Sequence, residues 1–155
     1  MRPSSIAVLA CLSQGCVATT VPPGMSVVLG PEQNAIILEP CSRPGPGEGA
    51  GGWLVPEDIA ARLDLDLPKL RNLTSRTCCL LGGRVDDPGI YFRQYFGVII
   101  GGRKLVYVNG VGRRGADGSW RTSAFSVCDG GSEFWGVLYD PETRTFGDLA
   151  FNGSA

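Results

Sequence analysis

The chain has 155 residues, 43% of them hydrophobic, which suits one folded domain with a short leader. Its net charge is −1 and no basic run exceeds two residues, as in Arg113-Arg114, so it lacks the electrostatic footprint of a nucleic-acid binder. It contains no histidine, which excludes a Ser-His-Asp triad, a Cys-His pair, His-ligated zinc and a histidine pH switch.

Residues 1–16 read as a leader. Arg2 supplies a positive start, Ile6 to Leu12 a short apolar run, and small residues follow. Leu12-Ser-Gln-Gly-Cys16 has the character of a bacterial lipoprotein processing box, one residue longer than the usual spacing, which makes Cys16 the candidate lipidation site. Val8-Leu-Ala-Cys11 keeps the box spacing behind a shorter apolar run. The run is far below the roughly 20 apolar residues that span a bilayer, so the expected membrane contact is an N-terminal lipid alone.

Residues 17–52 read as a linker with one short apolar segment, Ala35-Ile-Ile-Leu38. The Gly/Pro run from Ser42 to Gly52 argues against regular structure. A single domain is expected over 53–155. Pro56 followed by Glu57 and Asp58 predicts a helix start, with proline at the first helical position and carboxylates at the positive end of the helix dipole. Ile59, Leu63, Leu67 and Leu70 form one apolar stripe, which Pro68 kinks or splits. From Tyr91 the period changes to two. Strands are predicted at Tyr91–Ile100, Arg103–Asn109, Trp120–Cys128, Phe134–Tyr139 and Thr145–Phe151. Gly101-Gly102 and Asp140-Pro-Glu-Thr-Arg144 supply the turn chemistry between neighbours. Hairpin follows hairpin without room for crossover helices. The expected fold is α+β: one N-terminal helix packed on a four- to five-stranded antiparallel meander.

Beyond the leader, four cysteines remain: Cys41, Cys78, Cys79 and Cys128. A ring disulfide between the adjacent Cys78 and Cys79 is strained, so a bridge from the Cys41 segment to the sheet is expected. Cys41–Cys128 is its simplest form, with Cys78 or Cys79 as alternative partners. No CxxC spacing is present, and no metal or cofactor is expected.

The fourth predicted strand is apolar on both faces, with Trp135, Val137 and Tyr139 on one and Phe134, Gly136 and Leu138 on the other. Either the N-terminal segment covers the second face or that face binds something. The candidate binding surface comprises Arg93, Gln94, Tyr107, Asp129, Trp135 and Tyr139. Arg93 beside aromatic residues also suits plain cation–π packing, and Asp129-Gly-Gly131 suits a plain turn.

Taken together, Cys41-Ser-Arg-Pro44, Arg93-Gln-Tyr-x-Gly97, Leu105-Val-Tyr-Val-Asn109, Val127-Cys-Asp-Gly-Gly131, Phe134-Trp-Gly136 and Phe151-Asn-Gly153 resemble a family of small uncharacterised bacterial lipoproteins and exported proteins, mainly proteobacterial. The resemblance spans residues 41–155 and implies export and one α+β domain. It implies no activity. The functional expectation is an exported protein of the periplasm or cell envelope, a non-enzymatic module binding a protein, peptide or small ligand. The alternatives are an inhibitor or immunity-type protein presenting the Gly110–Gly118 loop, and a carboxylate-dependent enzyme using Asp129, Asp140 or Glu142.

Overall fold

The computed structural model describes residues 24–49, 51–114 and 116–154. The leader, with Cys11 and Cys16, lies outside them. The alternating period from Tyr91 onward becomes the long hairpin of β3 (Phe92–Ile100) and β4 (Arg103–Val111). Gly101 and Gly102 turn it with φ of 56° and 76°, the positive pair that a tight hairpin turn needs. β5 (Phe134–Asp140) and β6 (Thr145–Phe151) extend the meander antiparallel, as predicted.

The sheet is nevertheless mixed and has six strands. β1 (Ser26–Leu29) runs parallel to the first half of β3, and β2 (Gly51–Trp53) runs antiparallel to its second half. The two short strands share one edge of β3, end to end. Between them lies α1 (Asn34–Leu38), a single turn and a half built on the Ala35–Leu38 apolar patch. The stretch whose composition reads as linker therefore belongs to the sheet and to its cover. A purely antiparallel meander is corrected to a mixed sheet because a chain returning along the far edge of β3 can pair in either direction.

The predicted helix is α2 (Glu57–Asp66), capped by Pro56 and continued at Pro68 by a 3-10 turn, Leu67–Asn72. Its apolar stripe lands as expected. Leu63, Leu67 and Leu70 are fully buried against Tyr95, Val106, Val108, Val137 and Tyr139. The opposite face carries a second core, in which Leu29 and Ile37 cover Phe96, Val98, Leu105, Tyr107 and Leu138. The sheet is thus sandwiched between α2 and its own N-terminal segment.

The predicted third strand, Trp120–Cys128, is absent. Gly118–Arg121 is a 3-10 turn and the residues up to Gly130 are irregular. β4 pairs directly with β5, so no lane of the sheet is left for it.

Close approach at one position deserves a quantitative expectation. A Cβ at Gly97 would stand 1.9 Å from the Trp53 carbonyl oxygen, a backbone atom that cannot swing aside. Gly97→Ala should cost about 2–3 kcal/mol in a urea unfolding experiment, through loss of the β2 pairing. An unchanged midpoint would show that β2 does not press on β3 there.

Candidate functional site

Register explains where the expected surface residues went. Gln94, Asn109 and Gly136 are direct partners across β3, β4 and β5, and their side chains share the N-terminal face. Arg93, Gly110 and Trp135 form the next row, one residue along and therefore on the α2 face. Arg93, Gln94, Tyr107, Trp135 and Tyr139 are all at most 2% exposed. The open binding surface expected of them is corrected to two buried layers, because chain covers both faces. Asp129 alone of the six is exposed, at the turn where Gly130 and Gly131 take positive φ.

On the N-terminal face the buried amides substitute for a missing strand. Gln94 Nε2 donates to the carbonyls of Trp120 (2.6 Å) and Ser123 (2.7 Å), and its Oε1 accepts from Phe125 N–H (2.9 Å). Asn109 Nδ2 donates to Phe125 O and to Gln94 Oε1. Asn152 Nδ2 donates to Val127 O and Asp129 O, one on each side of Cys128. Buried backbone groups must find partners, and here side chains supply what a ladder would have supplied. Gln33 adds two more bonds, accepting from Ala124 N–H and donating to Thr122 O.

Arg43 completes this layer, and sequence reasoning missed it. It is 8% exposed, and its guanidinium donates to Tyr107 Oη (3.1 Å), Asn152 Oδ1 (2.7 Å) and Asn109 Oδ1. No carboxylate pairs with it among the described residues; three neutral acceptors hold the cation. Gly136 makes room, since a Cβ there would lie 1.8 Å from Tyr107 Oη and 3.0 Å from Arg43 Nε. An arginine in a Gly/Pro-rich run reads as solvated. Its acceptors Tyr107, Asn109 and Asn152 lie 64 or more residues away in sequence and meet it only in the fold.

The adjacent Cys41 is bridged to Cys128, with Cα atoms 5.0 Å apart, within the usual disulfide span. This is the pairing expected as the simplest. Cys78 and Cys79 are free, exposed thiols. Cys79 Sγ lies 3.0 Å from Cys78 Sγ and 3.1 Å from the Ser42 carbonyl oxygen. The hydrogen bond shared with Cys78 pushes the Cys79 thiol above the ordinary thiol range.

On the α2 face two carboxylates of the helix meet two tyrosines of the sheet. Asp64 accepts from Tyr95 Oη and from Ser26 Oγ, and Arg93 Nε stands 3.8 Å from it. Burial and the neighbouring Asp64 raise the Tyr95 phenol far above its ordinary value. Arg93 Nη1 donates to Tyr91 O and Pro88 O, while its Nε and Nη2 and Trp135 Nε1 have no hydrogen-bond partner among the described residues. Two residues along, Asp66 accepts from Tyr139 Oη (2.8 Å), Arg144 (2.8 and 2.9 Å) and Lys69 (2.8 Å). Burial pushes the Asp66 carboxyl up, but the bonds from Arg144, Lys69 and Tyr139 outweigh it and hold it at about 2. The same contact and burial push Tyr139 up to about 12.

A carboxyl with a lowered folded-state pKa stabilises the fold above its unfolded value, and that contribution fades as pH falls through the folded value. Asp66 should therefore supply on the order of 2 kcal/mol at neutral pH, lost between about pH 4 and pH 2. Asp66→Asn should be less stable at neutral pH and flatten the acid limb of a stability–pH curve. A parallel curve for the variant would contradict this assignment.

An open concavity lies elsewhere. A groove of about 790 Å³ is lined by Trp53, Leu54, Pro56, Ile59, Arg62, Lys104, Pro141 and Glu142. It runs between the start of α2 and the β5–β6 turn. Trp53 forms its wall because its indole N–H is fixed on Leu105 O (2.9 Å), and Lys104 Nζ stands 5.5 Å from the ring centroid. Leu54 is 66% exposed. Arg62 is paired with Asp58 on the helix surface, whereas Lys104 makes no ion pair among the described residues. The sequence assigns Pro56 and Ile59 to the helix and Pro141 and Glu142 to a turn, but nothing in it brings these residues together as one groove.

Of the carboxylates that an enzyme would use, Asp140 is engaged in its own turn. Asp140 accepts from the N–H groups of Glu142 and Thr143 and pairs with Arg103. Among the described residues, no three metal-ligating side chains cluster, and no helix is long and apolar enough to cross a membrane. Comparison of the chain with protein-family models, with curated proteins and with solved structures found no match.

Proposed function

We propose that this chain is an exported envelope protein that acts as a binding module, and that it takes the carboxylate end of an apolar peptide in the Trp53–Lys104 groove. The single observation that carries the reading is the groove's lining: an apolar wall of Trp53, Leu54, Pro56 and Ile59 under two cations and one carboxylate. An aliphatic side chain would lie on that wall while its carboxylate meets the Lys104 ammonium. The Cys41–Cys128 bridge supports an oxidising compartment, and the leader's character supports export with an N-terminal lipid on Cys16. The buried state of Trp135 and Arg93 moves the proposed binding surface off their strand faces. The enzyme alternative would have to free Asp140 from its turn, and the inhibitor alternative would rest on the Gly110–Gly118 segment, whose first two residues belong to β4.

The test compares N-acetyl-Leu-Leu with its C-terminal amide by amide chemical-shift titration. Shifts at residues 53–59, 104 and 142 are expected with the acid. Binding about tenfold weaker is expected for the amide and for Lys104→Glu, the loss of one charge-assisted hydrogen bond. Equal shifts from acid and amide, or none at millimolar peptide, would overturn the reading.

A further inference from the structure

The C-terminal end of β6 joins the surroundings of the Cys41–Cys128 bridge to those of Cys79. Asn152 holds the backbone on both sides of Cys128. The next residue, Gly153, donates its N–H to Ser42 Oγ, and Ser42 follows Cys41. A Cβ on Gly153 would touch Ser42 Cβ at 3.8 Å and Cys79 Sγ at 3.9 Å. Cys79 Sγ itself rests 3.1 Å from the Ser42 carbonyl oxygen. A free dithiol thus lies one residue from one end of the disulfide, and all four cysteines are solvent-exposed.

We propose that these four residues form an internal thiol–disulfide exchange site, with Cys79 as the attacking thiol and Cys78 as the resolving one. Position rather than acidity selects Cys79, which rests beside Ser42 although its thiol is held above the ordinary range. At alkaline pH its thiolate attacks Cys41 Sγ, a Cys79–Cys41 bond forms, and Cys128 leaves as a thiolate. The Cys78 thiolate then attacks Cys79 Sγ, forming the Cys78–Cys79 bond, and Cys41 leaves. The two protons from Cys78 and Cys79 end on Cys41 and Cys128. One dithiol and one disulfide are exchanged for one disulfide and one dithiol, so no outside oxidant or reductant is consumed.

Strain in a ring between adjacent cysteines favours the Cys41–Cys128 state at rest. The exchanged state releases the segment that carries Arg43, so its population couples the exposed loop at Cys78-Cys79 to the seal over the second core. The inference is independent of the Trp53 groove.

Trapping the first intermediate tests it. The full chain carrying Cys128→Ser is incubated in a glutathione redox buffer at mildly alkaline pH, acid-quenched, alkylated and mapped by mass spectrometry. A Cys41–Cys79 linkage is the expected main species. A second variant, Cys78→Ser, keeps the native bridge and removes the resolving thiol. It should show the same linkage with Cys128 alkylated. The linkage in either variant supports the proposal. Its absence from both, with Cys41 recovered free, bridged to Cys128, or bonded to Cys11, Cys16 or glutathione, overturns it.

Discussion

Replacing Arg43 with alanine is expected to destabilise the protein by about 3–4 kcal/mol, read from the urea midpoint at neutral pH. The side chain is the common donor to Tyr107, Asn109 and Asn152, and both asparagines are 2% exposed. Removing it leaves two buried amide oxygens unpaired, at about 1–3 kcal/mol each. Arg43→Lys should restore only part of the loss, since one ammonium cannot reproduce a planar fork reaching three acceptors. Arg43→Met should rank with alanine, because bulk without donors does nothing for the orphaned oxygens. A loss below about 1 kcal/mol would mean that the segment is not a seal and that the asparagines rehydrate freely.

The second large effect is expected from Cys41→Ser combined with Cys128→Ser. The bridge spans 87 residues of sequence. In the chain-entropy view, opening a loop of that size costs roughly 4–5 kcal/mol by freeing the unfolded ensemble. The folded form should keep its sheet, because β3 to β6 make their own ladder. The N-terminal segment should loosen first, showing faster amide exchange at residues 31–49 than at β4. Arg43→Ala in the same background should then cost less than in the bridged protein, since both changes release one segment and close neighbours do not add. Full additivity would separate the disulfide from the Arg43 layer.

The asymmetry of legibility follows from range. The β3–β4 hairpin is readable because Gly101-Gly102 and alternating side chains are local statements about φ and pleat. β6 and the Asp140 turn are readable for the same reason, and the Asp140 side chain does bond Glu142 and Thr143 N–H. The stripe Ile59, Leu63, Leu67 and Leu70 shows which helix face is inward. The break at Pro68 follows from its missing N–H. The bridge could be narrowed by elimination because only four cysteines lay beyond the leader.

Trp120–Cys128 fails as a strand for a non-local reason. Its alternation was genuine, but whether alternation becomes a strand depends on a free ladder beside it. β5 takes that place on β4. The loop instead finds Gln94, Asn109 and Asn152, and no window of sequence shows those three side chains aligned. The same holds for the candidate surface. Arg93, Gln94, Tyr107, Trp135 and Tyr139 carry polar or aromatic chemistry that fits either a ligand or a neighbour. Burial decides between them, and burial comes from α2 over Arg93, Trp135 and Tyr139 and from the N-terminal segment and the 118–130 loop over Tyr107 and Gln94.

What the sequence determined by itself was therefore the set of local units: the hairpins, the amphipathic helix, the absence of histidine chemistry and the short list of cysteine partners. The tertiary structure alone decided the parallel β1, the second core, the buried Arg43 and the groove at Trp53. The physical reason is that backbone preference and periodicity act over a few residues, whereas cover, counter-donors and concavity arise only when segments 50 or more residues apart occupy the same space.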